Sequence, residues 1–155
     1  MTSAPRLRGE GLQRLTERLS QRDWAVLQDV DRFRLMTGRQ LQRLYIGEGE
    51  SAARATRRLV ARLSTDQFLV RLPRVVGGVR AGSSGHVLAL GPAGVQLLHP
   101  DQPRRRHRDV RDGFLKHTLA IADLYVTLRL AERRGDLELL RLTTSNSQDL
   151  WMKIV

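Results

Sequence analysis

Two helix-start signatures constrain this chain more tightly than any other feature. Ser20-Gln-Arg-Asp23 and Thr37-Gly-Arg-Gln40 each place a hydroxyl three residues before a side chain that can accept from the backbone. That is a capping box, in which each of the two side chains accepts from the other residue's orphan amide at a helix start. Behind the first box, Trp24, Leu27 and Val30, and less regularly Phe33, recur at helical spacing and predict a helix over 21–33. Behind the second, Leu41, Leu44 and Tyr45 predict a short helix over 38–45. Ile46-Gly-Glu-Gly-Glu50 reads as a turn, with Ser51 as the cap of a third helix over 52–64.

The period then changes to two. Phe68, Val70 and Leu72 alternate with Leu69 and Arg71, a strand pattern. Gly77-Gly78 and Gly82-Ser-Ser-Gly85 mark a hairpin tip, and His86 to Leu90 reads as the return strand. Gly91-Pro92 starts a short helix ending near Leu98. A long helix is expected over 110–134, ended by Gly135, then a strand from Leu137 to Thr144. The last eleven residues carry no clear signal. Three helices followed by a two-stranded hairpin is the order of a winged helix-turn-helix. The expected class is therefore α+β, mainly α, a winged helix-turn-helix followed by a long helix and a short strand. The expected organisation is a basic arm over 1–19, with a short helical stretch near Leu12 to Leu19, and the winged helix over 20–98. A basic linker then covers 99–109. Residues 110–155 read as a dimerisation region or a truncated carboxy-terminal region.

The chain carries 27 basic against 16 acidic residues, a formal charge of +11, and all but Lys116 and Lys153 of the basic residues are arginines. GC-rich coding accounts for Arg over Lys but not for the excess, which points to a polyanionic partner. Arg suits bidentate contact with phosphate and with guanine edges. There is no Cys, which excludes disulfides, thiolate zinc sites and thiol nucleophiles. Arg6, Arg8, Arg14 and Arg18 stand where a signal peptide would need an apolar core, and no run reaches the roughly 18 apolar residues of a membrane span. These features predict a cytoplasmic protein with no membrane partner.

On a wheel of about 100° per residue, Arg54, Arg57, Arg58 and Arg62 share an arc of about 140°. Ala52, Thr56, Leu59, Val60 and Leu63 face the other way and would seat the helix on the first two. A solvated face normally mixes signs, because like charges one turn apart repel. Ser51 to Leu63 contains no acid, which fits a helix lying in the major groove. The expected DNA contacts are Arg54, Arg57, Arg58 and Arg62, together with Ser51 at the helix start. Thr37, Arg39 and Gln40 would meet phosphate at the second helix start. Arg71, Arg74 and Arg80 would form the basic wing.

Four segments, LSQRDWAVLQDVDRFRLMTGRQLQRL, ARATRRLVARL, LVRLPRVVGGVRAGSSGHVLALGPAGVQLL and HTLAIADLYVTL, resemble the replication-relaxation family of actinobacterial plasmids and integrated mobile elements. The resemblance covers about Leu19 to Thr144 and is most specific in the glycine-rich hairpin and the HTLAIADLYVTL helix. It implies an amino-terminal winged helix and roles around plasmid replication or DNA relaxation. Members usually continue into a further carboxy-terminal region, which SNSQDLWMKIV does not match.

Catalytic constellations are weak. His86, His99, His107 and His117 lack partners at ligand spacing, so no metal or cofactor is expected. Glu132, Asp136 and Glu138 evoke a nuclease site but lack a supporting Lys motif. Gly47-Glu-Gly49 and GGVRAGSSG complete neither a dinucleotide nor a phosphate-loop fingerprint. The long helix is apolar most of the way round, so it is either buried under the winged helix and the last strand or packed on its twin; the favoured expectation is a homodimer through Phe114, Leu115, Ile121, Leu124, Tyr125 and Leu128. The expected function is non-enzymatic, sequence-specific or semi-specific binding of double-stranded DNA, in plasmid or mobile-element replication, transfer or transcription control. The alternative is a winged-helix interaction module that assembles replication or relaxase proteins.

Overall fold

A computed structural model describes residues 9–75, 85–101, 112–144 and 150–154. The described chain is mainly helical α+β. In order it runs α1 (Glu10–Glu17), α2 (Gln21–Phe33), β1 (Met36–Thr37), α3 (Gly38–Tyr45) and α4 (Glu50–Thr65). β2 (Leu69–Val75), β3 (His86–Leu90), α5 (Pro92–Leu98), α6 (Asp112–Arg134), β4 (Leu139–Thr144) and β5 (Leu150–Ile154) complete it.

Both capping boxes are formed. Ser20 Oγ accepts from the Asp23 amide at 3.2 Å while the Asp23 carboxylate accepts the Ser20 amide at 2.8 Å. Thr37 and Gln40 exchange the same pair at 2.9 and 3.2 Å. The helices they start occupy the expected residues. α4 differs: it begins at Glu50, with Gly49 at the cap, so Ser51 lies inside the first turn. Gly47 at φ 118° and Gly49 at φ 96° occupy backbone that other residues rarely adopt, and this lets a tight turn separate α3 from α4.

The sheet is antiparallel in the order β1-β3-β2. Met36 pairs with Leu88 and Thr37 with Val87, while Leu69 pairs with Leu90 and Arg71 with Leu88. Register shifts between Arg71 and Val75. Pro73 lies there on an edge strand, where a missing amide is tolerated at a bulge. The base of the hairpin is fixed by close backbone approach: a Cβ on Gly91 would lie 2.2 Å from the Gln67 carbonyl oxygen. The strand expected from Phe68 starts one residue later, because the Phe68 amide still donates to the Leu63 carbonyl at the end of α4, at 2.9 Å.

One core joins α2, α3, α4, the sheet and α6 through Val26, Leu27, Val30, Leu41, Leu63 and Val126. Within the stretch expected as an arm, α1 lays Leu12 and Leu15 partly buried against that core. A polar cluster sits between α2, α3 and α6. Asp29 accepts from the Tyr45 hydroxyl at 2.5 Å and the Tyr125 hydroxyl at 3.3 Å. Burial pushes the Asp29 carboxyl above the usual range, against these hydrogen bonds and Arg32.

α6 is 23 residues long and ends at Gly135, whose φ is 80°. It packs on α3, α2 and β1, so Leu115, Tyr125 and Leu128 are buried by their own chain. That corrects their expected place on a dimer face. β4 pairs with β5, a strand within the segment that carried no clear signal. Its Leu150, Met152 and Ile154 alternate with Trp151 and Lys153, a period-two pattern too short and too late in the chain to stand out. Among the described residues, no helix is long and apolar enough to cross a membrane.

Candidate nucleic-acid interface

The residues of α4 divide as their wheel positions require. Ala52, Thr56, Leu59, Val60 and Leu63 are buried against the core. Arg54, Arg57 and Arg58 are exposed along the opposite arc, with Ser51 exposed beside them. Glu50 at the first turn pairs with Arg54 at 3.7 Å, an exposed one-turn contact of the kind that contributes a few tenths of a kcal/mol, about 0.3–0.5. Arg57 and Arg58 have no acidic partner among the described residues. The same holds for Arg39 at the start of α3 and Arg71 on β2, both exposed.

A shallow cleft brings part of this set together. It lies between α3, α4 and β2, and its lining includes Gly38, Gln42, Thr56, Arg57 and Arg71. Two arginines from different elements therefore share one concavity, with the start of α3 at its side. The Gly38 and Gln42 lining was not foreseen, because neither residue carries a sequence signal beyond helix membership.

Three expected contacts sit elsewhere. Thr37 and Gln40 are buried, with their side chains closing the capping box. Gln40 Nε2 also donates to the Leu119 carbonyl of α6 at 2.9 Å. These two side chains hold α3 in place rather than line the surface, which leaves Arg39 as the outward residue of that turn. Arg62, at the edge of the basic arc, turns toward α2 and binds Asp23 at 2.6 Å. Asp23 is only 1% exposed, whereas the Arg62 side chain keeps 40% of its surface. Burial alone would raise the Asp23 carboxyl. The Ser20 amide and hydroxyl and the Arg62 guanidinium outweigh burial and hold it below its ordinary 3.8. Asp23 is thus a positioning residue that the sequence shows only as a helix cap.

The side chains of Arg74 and Arg80 lie outside the described residues. Of the carboxylates weighed for a metal site, Glu132 pairs with Arg129, and Asp136 pairs with Arg134 at 2.8 Å. Among the described residues, no three His, Asp or Glu side chains gather as metal ligands. His99 instead meets Asp31 at 2.8 Å, tying the end of α5 to α2. His117 is exposed on α6.

The family described as replication-relaxation matches residues 27–153, from within α2 to within β5. No curated protein and no solved structure matches the chain.

Proposed function

The chain belongs to the replication-relaxation family, and from that premise we propose that it binds double-stranded DNA through a winged helix-turn-helix. In this reading α2, α3 and α4 are the three helices, and β2 and β3 are the arms of the wing. The element order and the β1-β3-β2 sheet support it. One observation carries the assignment of α4 as the groove-lying helix: its outward arc presents Arg54, Arg57 and Arg58, and the latter two have no acid beside them among the described residues. Arg39 and Arg71 flank that arc and contact phosphate on either side. The protein acts without catalysis in the cytoplasm, on replication, transfer or transcription of a mobile element.

The test is fluorescence anisotropy on random-sequence duplex DNA across a salt series. Each neutralised phosphate contributes about −0.9 to the slope of log K against log salt. Arg57→Ala/Arg58→Ala therefore flattens the wild-type slope by about 2. An unchanged slope in that double variant removes α4 from the interface. No binding by the wild type at low salt removes DNA as the partner.

A further inference from the structure

Two cations share one concavity that contains no acidic side chain. The cleft between α3, α4 and β2 is lined by Arg57 and Arg71 and, among the described residues, by no carboxylate. Neither guanidinium is held by an acid from elsewhere among those residues. The other side chains of the lining are committed or apolar. Thr56 donates its hydroxyl to the Ala52 carbonyl at 2.8 Å, and Gln42 Nε2 turns to the Gly47 carbonyl at 3.3 Å. Ala53 and Val60 supply apolar wall. What the cleft offers a ligand is two guanidinium forks, and these select an oxyanion.

The fold brings the two arginines level. Arg57 lies eight residues before the end of α4, about 12 Å back along the helix axis. At that end Gln67, with φ 60°, and the bond from the Phe68 amide to the Leu63 carbonyl turn the chain back. Arg71 lies three residues beyond Phe68, about 10 Å along the strand. The return therefore sets Arg71 beside Arg57. The register between β2 and β3 shifts directly after Arg71, an irregularity of the kind that re-aims a side chain at a site.

The size of the cleft decides how much of a ligand it takes. Its volume is about 30 Å³, against the roughly 300–1,000 Å³ of a site that encloses a small molecule. A base or a sugar does not fit inside. One phosphate can rest its oxygens on the two forks at the mouth. A phosphate of a duplex backbone arrives already joined to the contacts of the α4 arc, where Arg54 and Arg58 are exposed. A free phosphate would have to be held by this shallow cleft alone.

We propose that Arg57 and Arg71 close on one and the same backbone phosphate, so that α4 and the wing strand grip the duplex at a single shared point. This rests on the reading of α4 as the DNA-facing helix and deepens it. It assigns Arg57 to the backbone rather than to a base edge, and backbone contacts set position without carrying sequence information. It also couples the two residues. The phosphate is held by both forks together, so loss of either releases it, and loss of the second then costs nothing more.

The test is a double-mutant cycle in the full chain, read by the anisotropy salt series on several unrelated duplexes. Arg57→Ala and Arg71→Ala each flatten the slope by about 0.9, one phosphate's worth, and Arg57→Ala/Arg71→Ala flattens it by about 0.9 as well. Arg58→Ala/Arg71→Ala, whose residues do not share the cleft, flattens it by about 1.8. The affinity lost with Arg57→Ala is the same on every duplex. Thermal melts confirm that each variant folds. A loss of about 1.8 in Arg57→Ala/Arg71→Ala overturns the shared phosphate and leaves α4 on the DNA. An unchanged slope in Arg71→Ala, or a loss with Arg57→Ala that differs between duplexes, overturns it too. An unchanged slope in Arg57→Ala/Arg58→Ala, or no binding by the wild type, removes both readings. Inorganic phosphate probes the other source of this chemistry. At ~10 mM it should raise the wild-type Tm no more than sodium chloride of equal ionic strength. A larger rise that Arg57→Ala/Arg71→Ala abolishes, with additive losses on DNA, makes the cleft a free-phosphate site and overturns the proposal.

Discussion

Arg62→Ala separates two roles that the sequence alone assigns to one basic arc. If Arg62 lay in the groove like Arg58, its removal would weaken DNA binding. The structure gives it a different job. Its guanidinium meets a carboxylate that is 1% exposed, at 2.6 Å, and so ties the last turn of α4 to the first turn of α2. A hydrogen bond to a charged group contributes about 1.5–3 kcal/mol when fully buried. The Arg62 side chain is 40% exposed, so solvent screening takes a large share of that. The Asp23 carboxylate also keeps both of its bonds from Ser20, at 2.8 Å each, and is not left bare. The expected cost is about 1–2 kcal/mol, a fall in Tm of roughly 3–6 °C for a chain of this length.

The cost also depends on pH. The Asp23 carboxyl is held below its ordinary 3.8, so the stability it contributes is present above that value. It is lost as pH falls through the lower, folded-state value. The gap in stability between wild type and Arg62→Ala is therefore full at neutral pH and narrows on acidification below 3.8. Urea unfolding at two pH values measures the gap, and the anisotropy salt series measures the other half of the claim. Arg62→Ala should lower stability and leave the salt slope unchanged, whereas Arg58→Ala should do the reverse. A slope reduced as much by Arg62→Ala as by Arg58→Ala would refute the positioning role.

Other substitutions probe the frame that presents α4. Gln40→Ala opens a capping box and frees the Leu119 carbonyl, and urea titration should show a loss of about 1–3 kcal/mol. Gln40→Glu keeps the cap acceptor but sets a carboxylate against that carbonyl, so at neutral pH it should cost at least as much. Gly91→Ala forces a Cβ to within 2.2 Å of a backbone oxygen that cannot yield easily, and should cost about 2–3 kcal/mol in the same assay. Asp29→Asn mimics the protonated carboxyl that burial favours. Because the folded carboxyl lies above 3.8, its contribution is full at lower pH and is lost as pH rises through the folded value. The Asn variant should thus equal or exceed wild type in stability at pH about 7, with any advantage disappearing below 3.8.

Helix starts were the most legible part of the fold, because a capping box is local chemistry within four residues. α2 and α3 lie where Ser20 and Thr37 place them. α4 does not start at Ser51, because the two glycines of the turn supply the backbone angles and Glu50 already stands in the first helical turn. β1 is two residues long and exists only through its pairing with β3, so no period could reveal it. The basic arc of α4 was legible in outline, since period and burial are two views of one fact. Its membership was not. Arg62 is removed from it by an acid 39 residues away, Gln40 is drawn inward by a carbonyl 79 residues off, and Thr37 is held by its cap with Gln40 and its pairing with Val87. Capping and phosphate binding draw on the same residue types, and only packing decides which use a given side chain serves.

The central claim is that the outward arc of α4 rests on duplex DNA, and a photocrosslink tests it most directly. The chain has no cysteine, so a single Ser51→Cys carries a photoreactive label on that arc. Gln96→Cys carries it at an exposed site on α5, which packs at the base of the hairpin. With duplex DNA at low salt, the label at position 51 should crosslink the DNA and the label at position 96 should not. Crosslinking from position 96 but not from position 51, in folded proteins that bind DNA, would contradict the account.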